Sequence, residues 1–282
     1  MTAPILRELD GQAVECTFDG VPLFHPGRPK LKKRPLKAFR HFRALMADKE
    51  DTAQVFKIFD ALPSSDFAKN LRAFCLSDEG RRVRMLEPYL VPILDDHEAL
   101  RRLPKGSVAH AYCDFMEAEG LSAQGLVDES AKGWSEDASY DDMVRWYGAR
   151  RRDTHDLLHI LTGYGRDALG EQCVLAFTHG QNGGPANLFI AFLGAIEMRR
   201  TVPSDAPVIR AVREAQVKGR NRPRLSDQAV TEVLAMPLDQ ARRELGIADP
   251  AIYRECHRIW RSEGIDPYDL LAEAAEPQAV AA

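Results

Sequence analysis

The chain has 282 residues, a formal net charge of −4 at pH 7 and an isoelectric point near 6.1. This acidic balance excludes a general electrostatic attraction to nucleic acid, so we expect no nucleic-acid partner. Five scattered cysteines without a C-x-x-C pair favour a reducing compartment over a disulfide framework. The N-terminus lacks a targeting pattern, and the longest apolar run, at 186–196, is too short to span a bilayer. The sequence therefore predicts a cytoplasmic protein.

The first 35 residues are predicted to form a small β-hairpin and a basic arm. Asp19 and Gly20 are a turn signal between two short apolar segments, which predicts a hairpin within residues 13–24. Residues 25–37, HPGRPKLKKRPLK, are rich in proline and lysine and predict an extended arm. That arm is either a solvated linker or a contact for lipid headgroups or a partner protein.

From residue 36 onward the apolar residues recur at helical spacing, and strand signals are nearly absent. Helices are predicted at 36–46, 52–62, 67–76, 107–119, 140–162, 171–177, 186–198, 236–245 and 251–260, with loops at 121–138 and 178–185. The fold class is therefore all-α, with one helical domain over 36–265 behind the N-terminal hairpin or extended arm. Residues 266–282 are expected to form a disordered tail.

A group of candidate metal ligands lies in residues 152–171, RDTHDLLHILTGYGRDALGE. His155 and His159 are four residues apart, so on a helix their imidazoles point in nearly the same direction. Asp156 borders the same helical face, and Glu171 follows the second histidine by twelve residues. Two imidazoles with one or two carboxylates suit a divalent ion such as zinc, and also iron(II) or manganese. The neighbouring residues are apolar, which predicts a buried helix. Burying histidine and aspartate without a partner would cost folding free energy, so a metal site is predicted.

Glu171 is expected on the next helix rather than on the one that carries the histidines. Gly163 and Gly165 end the first helix, and Asp167 offers an N-cap for the second. The pattern lacks the glutamate general base of the HExxH motif, which disfavours a metallopeptidase. An HD-type phosphohydrolase is a weaker alternative, because only the His-Asp dipeptide supports it.

The motif HDLLHILTGYGRDALGE resembles the HDxxH-x11-E signature of the coenzyme Q (ubiquinone) biosynthesis protein four family. The segments DTAQVFKIFDAL, LPKGSVAHAYCDFMEAEGLS and MPLDQARRELGI resemble the family's helices around that signature, and the resemblance covers roughly residues 36–260. It implies an all-α fold, often a homodimer, that binds a divalent metal, zinc or iron, through the motif. The matching positions are His155, Asp156, His159 and Glu171.

The resemblance also implies an activity and a set of partners. The implied reaction is oxidative decarboxylation and hydroxylation of a prenylated para-hydroxybenzoate ring. The alternative is a non-catalytic, lipid-binding scaffold that organises the other enzymes of ubiquinone biosynthesis. On this basis Phe189, Phe192 and Leu193 are candidates for binding the polyprenyl tail. Arg152 is a candidate for binding a carboxylate or phosphate of the substrate.

Ubiquinone precursors dissolve in membranes, so a chain without a spanning segment must attach to the membrane surface to reach them. Two basic clusters, at 28–37 and 218–224, are the candidates for this contact. The expected location is therefore cytoplasmic, with peripheral attachment to the inner membrane.

Overall fold

The computed structural model describes residues 5–48, 51, 53–133 and 140–270. The described chain begins with an antiparallel hairpin of β1 (Ile5–Leu9) and β2 (Gln12–Cys16). Asp10 and Gly11 connect the strands, and both have positive φ angles, as a tight two-residue hairpin turn requires.

The hairpin predicted within residues 13–24 is therefore misplaced. Asp19 and Gly20 do form a turn, but it returns the chain only as far as an isolated bridge between Pro22 and Cys16. The sequence did not mark the true hairpin because four of the five residues of β1 and the first two residues of β2 are exposed. A strand without a buried face lacks the apolar alternation on which such a prediction depends.

The rest of the described chain is helical, so the all-α fold class with a small N-terminal hairpin is confirmed. The helices in chain order are α1 (Pro35–Ala47), α2 (Ala53–Ala61), α3 (Ser65–Cys75), α4 (Asp78–Leu86), α5 (Val91–Leu94), α6 (His97–Arg101), α7 (Val108–Glu119), α8 (Ala123–Gly133), α9 (Met143–Asp153), α10 (His155–Thr162), α11 (Ala168–Asn182), α12 (Pro185–Thr201), α13 (Val208–Gly219), α14 (Val230–Ala235), α15 (Leu238–Glu244) and α16 (Ala251–Ser262). A short 3-10 turn, Leu225–Asp227, lies between α13 and α14.

Helix α8 corrects the prediction of a loop at 121–138, of which residues 134–139 lie outside the described part. The start of α8 is held by groups that the local sequence does not reveal. Asp95 accepts hydrogen bonds from the backbone amides of Ala123 at 2.7 Å and Gln124 at 3.0 Å. Ser122 adds a cap by accepting from the Gly125 amide at 3.0 Å. A carboxylate from elsewhere in the chain thus satisfies amides that would otherwise be unpaired.

The single helix predicted over 140–162 is two helices, α9 and α10, that meet at Thr154. The Thr154 hydroxyl donates to the Arg150 carbonyl at 2.8 Å, a local bond that competes with continued helix geometry. Helix α10 begins after this break, and every residue from Asp156 to Thr162 is buried. A continuous amphipathic helix would have left one of these faces in water.

The loop predicted at 178–185 is also shorter than expected, because α11 continues to Asn182 and only two glycines separate it from α12. Gly183 and Gly184 both have positive φ angles, which glycine adopts without strain. The side chain of His179 closes the turn, with its Nδ1 2.7 Å from the Gly184 carbonyl oxygen.

Helix α11 lies at the centre of the fold and packs closely against α12 and α13. It crosses α13 at Gly180 and Gly219, where a Cβ atom on Gly180 would lie 2.9 Å from the Cα of Gly219. The main core contains buried side chains from α5 to α8 and from α10 to α16, and two smaller clusters lie under the N-terminal segments. In the described ranges no helix combines the length and hydropathy needed to cross a bilayer.

Of the predicted disordered tail, residues 271–282 lie outside the described part. The residues just before them fold back on α16, where the Tyr268 ring meets the His257 ring edge-on with centroids 6.2 Å apart.

Candidate metal centre

The structure brings the four predicted metal ligands together at the junction of α10 and α11. The Nε2 atoms of His155 and His159 lie 3.3 Å apart. Glu171, in the first turn of α11, places Oε2 3.5 Å from His155 Nε2 and Oε1 3.5 Å from His159 Nε2. Asp156 offers a carboxylate oxygen within 4.8 Å of a ligand atom on each histidine.

These separations fit a single small cation between the side chains. Four-coordinate zinc has Zn–N distances of about 2.0–2.1 Å, which separate two ligand atoms by roughly 3.3–3.4 Å. The observed separations of 3.3 and 3.5 Å therefore need little adjustment to hold an ion. Three side chains leave open positions for substrate or solvent, as catalytic sites require.

Hydrogen bonds fix the orientation of His159. Its Nδ1 lies 3.0 Å from the Tyr164 carbonyl oxygen and 3.1 Å from that of Gly165. Carbonyl oxygens only accept hydrogen bonds, so Nδ1 carries the proton and Nε2 presents its lone pair to the site. The Phe115 ring stacks on this imidazole at a centroid distance of 5.7 Å. His159 is therefore oriented with Nε2 facing the site before any ion binds.

The α10 helix is held in place at its C-terminal end by α15. Arg242 donates to the carbonyl oxygens of Ile160 and Leu161, both at 3.0 Å. Those carbonyls belong to the last turn of a helix, where no intrahelical donor remains. Gly163 then ends α10 with a positive φ angle, as the sequence predicted.

The charges of the site favour an ionised carboxylate beside the two imidazoles. Burial alone would raise the pKa of Glu171, but the adjacent His159 and His155 outweigh burial and hold that pKa well below its ordinary value. Burial alone would lower the pKa of His155, but its hydrogen-bonding contact with Glu171 outweighs burial and raises that pKa. The His155 side chain is 27% exposed and that of His159 is fully buried, so the site opens toward solvent on the His155 side.

Arg166 is a charged neighbour of the site that the sequence interpretation did not select. Its Nε lies 3.8 Å from Glu171 Oε1, and its Nη1 lies 3.6 Å from Glu119 Oε2. About a third of the side chain is exposed, so part of its guanidinium remains available to a ligand. The sequence feature that could have identified Arg166 is its position in the short loop between the two helices that carry the ligands.

Arg152, the predicted substrate contact, has other partners. Its Nε donates to Asp153 Oδ1 at 2.8 Å and its Nη1 donates to the Ser130 hydroxyl at 3.0 Å. The bond to Ser130 joins α9 to α8. Its neighbour Arg150 is buried against Glu87 at 2.9 Å and donates to the Ser226 carbonyl, so it has a structural role.

The three predicted tail-binding residues lie on α12 and are all half-buried. Phe189 and Leu193 pack with the small cluster beneath α1 and α2, where the Phe189 ring meets Phe42 edge-on at 5.9 Å. Phe192 packs against the main core, and Ile196, one turn further on, is 44% exposed. These residues thus form a partly open apolar stripe along α12.

Helix α12 makes a close contact with α11 at the residue that follows Glu171. Gln172, directly after Glu171, packs on Gly194, where an added Cβ atom would lie 2.5 Å from Gln172 Cδ. The small residue on α12 allows the two helices to approach at the turn of α11 that carries the ligand.

A second group of metal-ligating residue types, His97, Cys113 and Glu117, lies on α6 and α7. His97 Nδ1 lies 3.1 Å from Glu117 Oε1, but Arg101 Nη2 occupies the other oxygen at 2.8 Å. Burial also raises the pKa of the Cys113 thiol, which opposes the thiolate form that binds metals. This group is an ion-pair cluster whose own cation is Arg101.

Comparisons with known proteins agree with the motif. The chain is 28% identical over 174 residues to the mitochondrial ubiquinone biosynthesis protein COQ4 homolog of Bos taurus, covering 62% of this chain and 63% of that protein. It is 29% identical over 210 residues to mitochondrial coq4 of Neosartorya fischeri, covering 72% and 69%. The chain thus spans somewhat less than two thirds of the length of the mammalian relatives that it matches.

The fold agrees with a crystal structure from Nostoc punctiforme of a protein assigned to ubiquinone biosynthesis. The TM-score is 0.53 at 18% identity, over 76% of this chain and 99% of that one. The family model for the coenzyme Q (ubiquinone) biosynthesis protein Coq4 matches residues 31–251 and so includes the whole metal motif. The chain therefore belongs to the Coq4 family of coenzyme Q (ubiquinone) biosynthesis proteins.

Proposed function

We propose that this protein is a metal-dependent enzyme of ubiquinone biosynthesis that replaces the ring carboxylate of a prenylated hydroxybenzoate with a hydroxyl group. The observation that carries the proposal is the group of His155, His159 and Glu171, whose facing atoms lie 3.3–3.5 Å apart on the family motif. Such a group with open positions and access to solvent is typical of a catalytic rather than a structural ion.

The ion would be held by His155, His159 and Glu171, with Asp156 close enough to serve as a further ligand. A bound zinc ion supplies a Lewis acid, whereas iron(II) can also exchange electrons with dioxygen. Both metals suit this donor set.

The proposed reaction needs dioxygen and a two-electron donor. The bond between the ring carbon and the carboxylate carbon breaks, and carbon dioxide leaves. One atom of dioxygen forms the new hydroxyl on that ring carbon. The other atom leaves as water after two electrons and two protons are supplied. Zinc does not change oxidation state, so this stoichiometry favours iron as the working metal.

Arg166 is the side chain we propose to bind the substrate carboxylate. Its guanidinium lies beside Glu171 and retains exposed N–H groups, which can form paired hydrogen bonds to a carboxylate. Glu119, 3.6 Å away, holds the guanidinium at the rim of the site. The position would bring the substrate's carboxylate close to the ion that promotes its loss.

The polyprenyl tail of the substrate would lie along the apolar stripe of α12. Phe192, Leu193 and Ile196 are partly open, and α12 approaches the turn of α11 that carries Glu171. Each methylene buried on such a surface contributes about 0.8 kcal/mol, so several isoprene units would bind firmly.

The N-terminal arm and α1 form the surface we propose for peripheral attachment to a membrane. Between Asp19 and Asp48 the sequence contains eight lysine or arginine residues and no acidic residue. Leu36 is 87% exposed and Phe39 is 48% exposed on the outer face of α1, next to Arg40. Apolar side chains among basic ones are typical of segments that lie in an anionic bilayer interface.

The second predicted basic cluster is less suited to this role, because two of its four basic residues have ion-pair partners within the protein. Lys218 pairs with Glu214 at 2.9 Å, and Arg224 pairs with Asp227 at 2.6 Å. Within the described ranges, residues 30 and 32–34 of the arm form no ion pair and are exposed. We therefore expect the arm to make most of the contact with the membrane.

A turnover assay tests the proposed activity. Purified protein loaded with iron(II) is given a prenylated hydroxybenzoate, dioxygen and a reductant, and the products are identified by mass spectrometry. We expect a decarboxylated, hydroxylated ring and carbon dioxide. The double substitution His155→Ala, His159→Ala should abolish both metal binding and turnover, whereas His97→Ala in the ion-pair cluster should preserve both.

The alternative is a non-catalytic scaffold for other ubiquinone biosynthesis enzymes, and one feature favours it. Met85, Leu86 and Tyr89, at the end of α4, are 49–75% exposed and offer an apolar contact for another protein. Metal and lipid binding without turnover would support the scaffold. Light scattering of the purified protein would at the same time test the homodimer that we expect.

A further inference from the structure

A hydrogen-bonded network connects α16 to both elements that carry the metal ligands. Tyr253 and His257 are four residues apart on α16, so both reach the same neighbour, Asp167. The Tyr253 hydroxyl donates to Asp167 Oδ2 and accepts from the backbone amide of Gly165 at 2.9 Å. His257 Nε2 lies at an ion-pair distance of 3.2 Å from Asp167 Oδ1 but forms no hydrogen bond with it. Asp167, Tyr253 and His257 are each more than nine-tenths buried.

The first connection runs through Asp167 to Glu171. Asp167 Oδ1 accepts hydrogen bonds from the amides of Leu169 at 3.1 Å and Gly170 at 3.2 Å, and so caps α11. Glu171 is the next residue of that first turn. The direction in which α11 begins, and with it the position of the Glu171 carboxylate, is therefore tied to Asp167.

The second connection runs through Gly165 to His159. The Gly165 carbonyl is one of the two acceptors that orient His159 Nδ1, while the Gly165 amide donates to Tyr253. A Cβ atom on Gly165 would lie 2.9 Å from the Tyr253 hydroxyl and 3.0 Å from Asp167 Oδ2. The loop therefore lies directly on the network, and the Tyr253 hydroxyl holds the Tyr164–Gly165 peptide, whose Tyr164 carbonyl is the other acceptor for His159 Nδ1.

We propose that Tyr253 and Asp167 are positioning residues that hold His159 and Glu171 in the arrangement that binds the metal ion. The inference rests on the proposed metal site and adds residues that do not touch the ion. Loss of hydrogen bonds behind the ligands of a metal site typically weakens metal affinity by about 10–100-fold. Tyr253 is well placed for such an effect. Its hydroxyl bonds both to Asp167, which caps the helix of Glu171, and to the Gly165 amide in the loop that orients His159.

The test compares two buried tyrosines whose hydroxyls each donate to a carboxylate. Tyr253→Phe removes the hydroxyl of the network, and Tyr147→Phe removes an equivalent bond to Asp227, 2.8 Å long, in a different core cluster. Each protein is stripped of metal and titrated with cobalt(II), whose visible absorption reports ligand geometry. The melting temperature of the metal-free form is measured in parallel.

We expect Tyr253→Phe to weaken cobalt affinity about 10–100-fold and to alter the absorption band, while Tyr147→Phe lowers the melting temperature but leaves both unchanged. Equal effects of the two substitutions, or an unchanged affinity and band for Tyr253→Phe, would overturn the inference.

Asp167→Asn gives a second route if Tyr253→Phe does not fold. It keeps the size of the side chain and an oxygen that can cap α11, but it replaces the acceptor of the Tyr253 hydroxyl with a donor. The same loss of cobalt affinity is expected, and wild-type affinity would overturn the inference. If the unmodified protein binds no cobalt, the proposed metal site fails and the inference fails with it.

Discussion

Three helical glycines provide a quantitative test of the packing around the site. Replacing a glycine with alanine inside a helix gains about 1 kcal/mol of helix propensity. A methyl group that overpacks its surroundings costs about 1–3 kcal/mol. The net change in the free energy of unfolding therefore depends on what each new Cβ atom meets.

The structure places the three glycines in different surroundings. Nothing lies within 4 Å of a Cβ atom on Gly148 in α9, so Gly148→Ala should stabilise the protein by about 1 kcal/mol. A Cβ atom on Gly194 meets the flexible side chain of Gln172, which can move, so the two effects should nearly cancel. A Cβ atom on Gly180 meets the backbone of α13 at Gly219 and would push two central helices apart. We expect the overpacking cost to be near its upper value of about 3 kcal/mol, so that Gly180→Ala loses about 2 kcal/mol after the gain in helix propensity.

Urea denaturation of the metal-free proteins, followed by circular dichroism, measures these differences. The slope of the free energy against urea concentration should be the same for all three variants, so that the midpoints can be compared directly. If Gly180→Ala proves as stable as Gly194→Ala, the close crossing of α11 and α13 is wrong, and so is the placement of α11 that brings Glu171 to the histidines.

Three further predictions concern α8, the substrate and the membrane. Asp95→Ala should cost about 1–2 kcal/mol and increase hydrogen exchange at the first amides of α8, and unchanged exchange would show that the helix caps itself. Arg166→Gln should raise KM for the carboxylated substrate much more than it changes metal affinity, and a wild-type KM would assign the carboxylate to another residue. Neutralising Lys30 and the residues from Lys32 to Arg34 should weaken sedimentation with anionic vesicles at low salt, whereas neutralising Arg220 and Arg222 should have a smaller effect. If vesicle binding changes neither with these substitutions nor with salt concentration, the arm is a solvated linker and not a membrane contact.

The sequence by itself was sufficient for the local features of the site. The spacing of His155 and His159 on an apolar helix, the glycine that ends that helix and the Asp167 cap of the next one are all properties of neighbouring residues. Helical periodicity and capping act over a few residues, so they can be read without the fold. The family motif adds Glu171, and the structure places its carboxylate 3.5 Å from both imidazoles.

Only the tertiary structure decided where α8 begins, which arginine faces the ligands and what holds them in place. Asp95 caps α8 from a different part of the chain, and Arg152 is held by Ser130 of α8. Tyr253 contacts Asp167, which is 86 residues away in the sequence. Nothing in the local sequence distinguishes these residues from other surface or core side chains. Their roles arise because packing apolar helix faces brings distant segments together, and the buried polar groups that meet there must find partners.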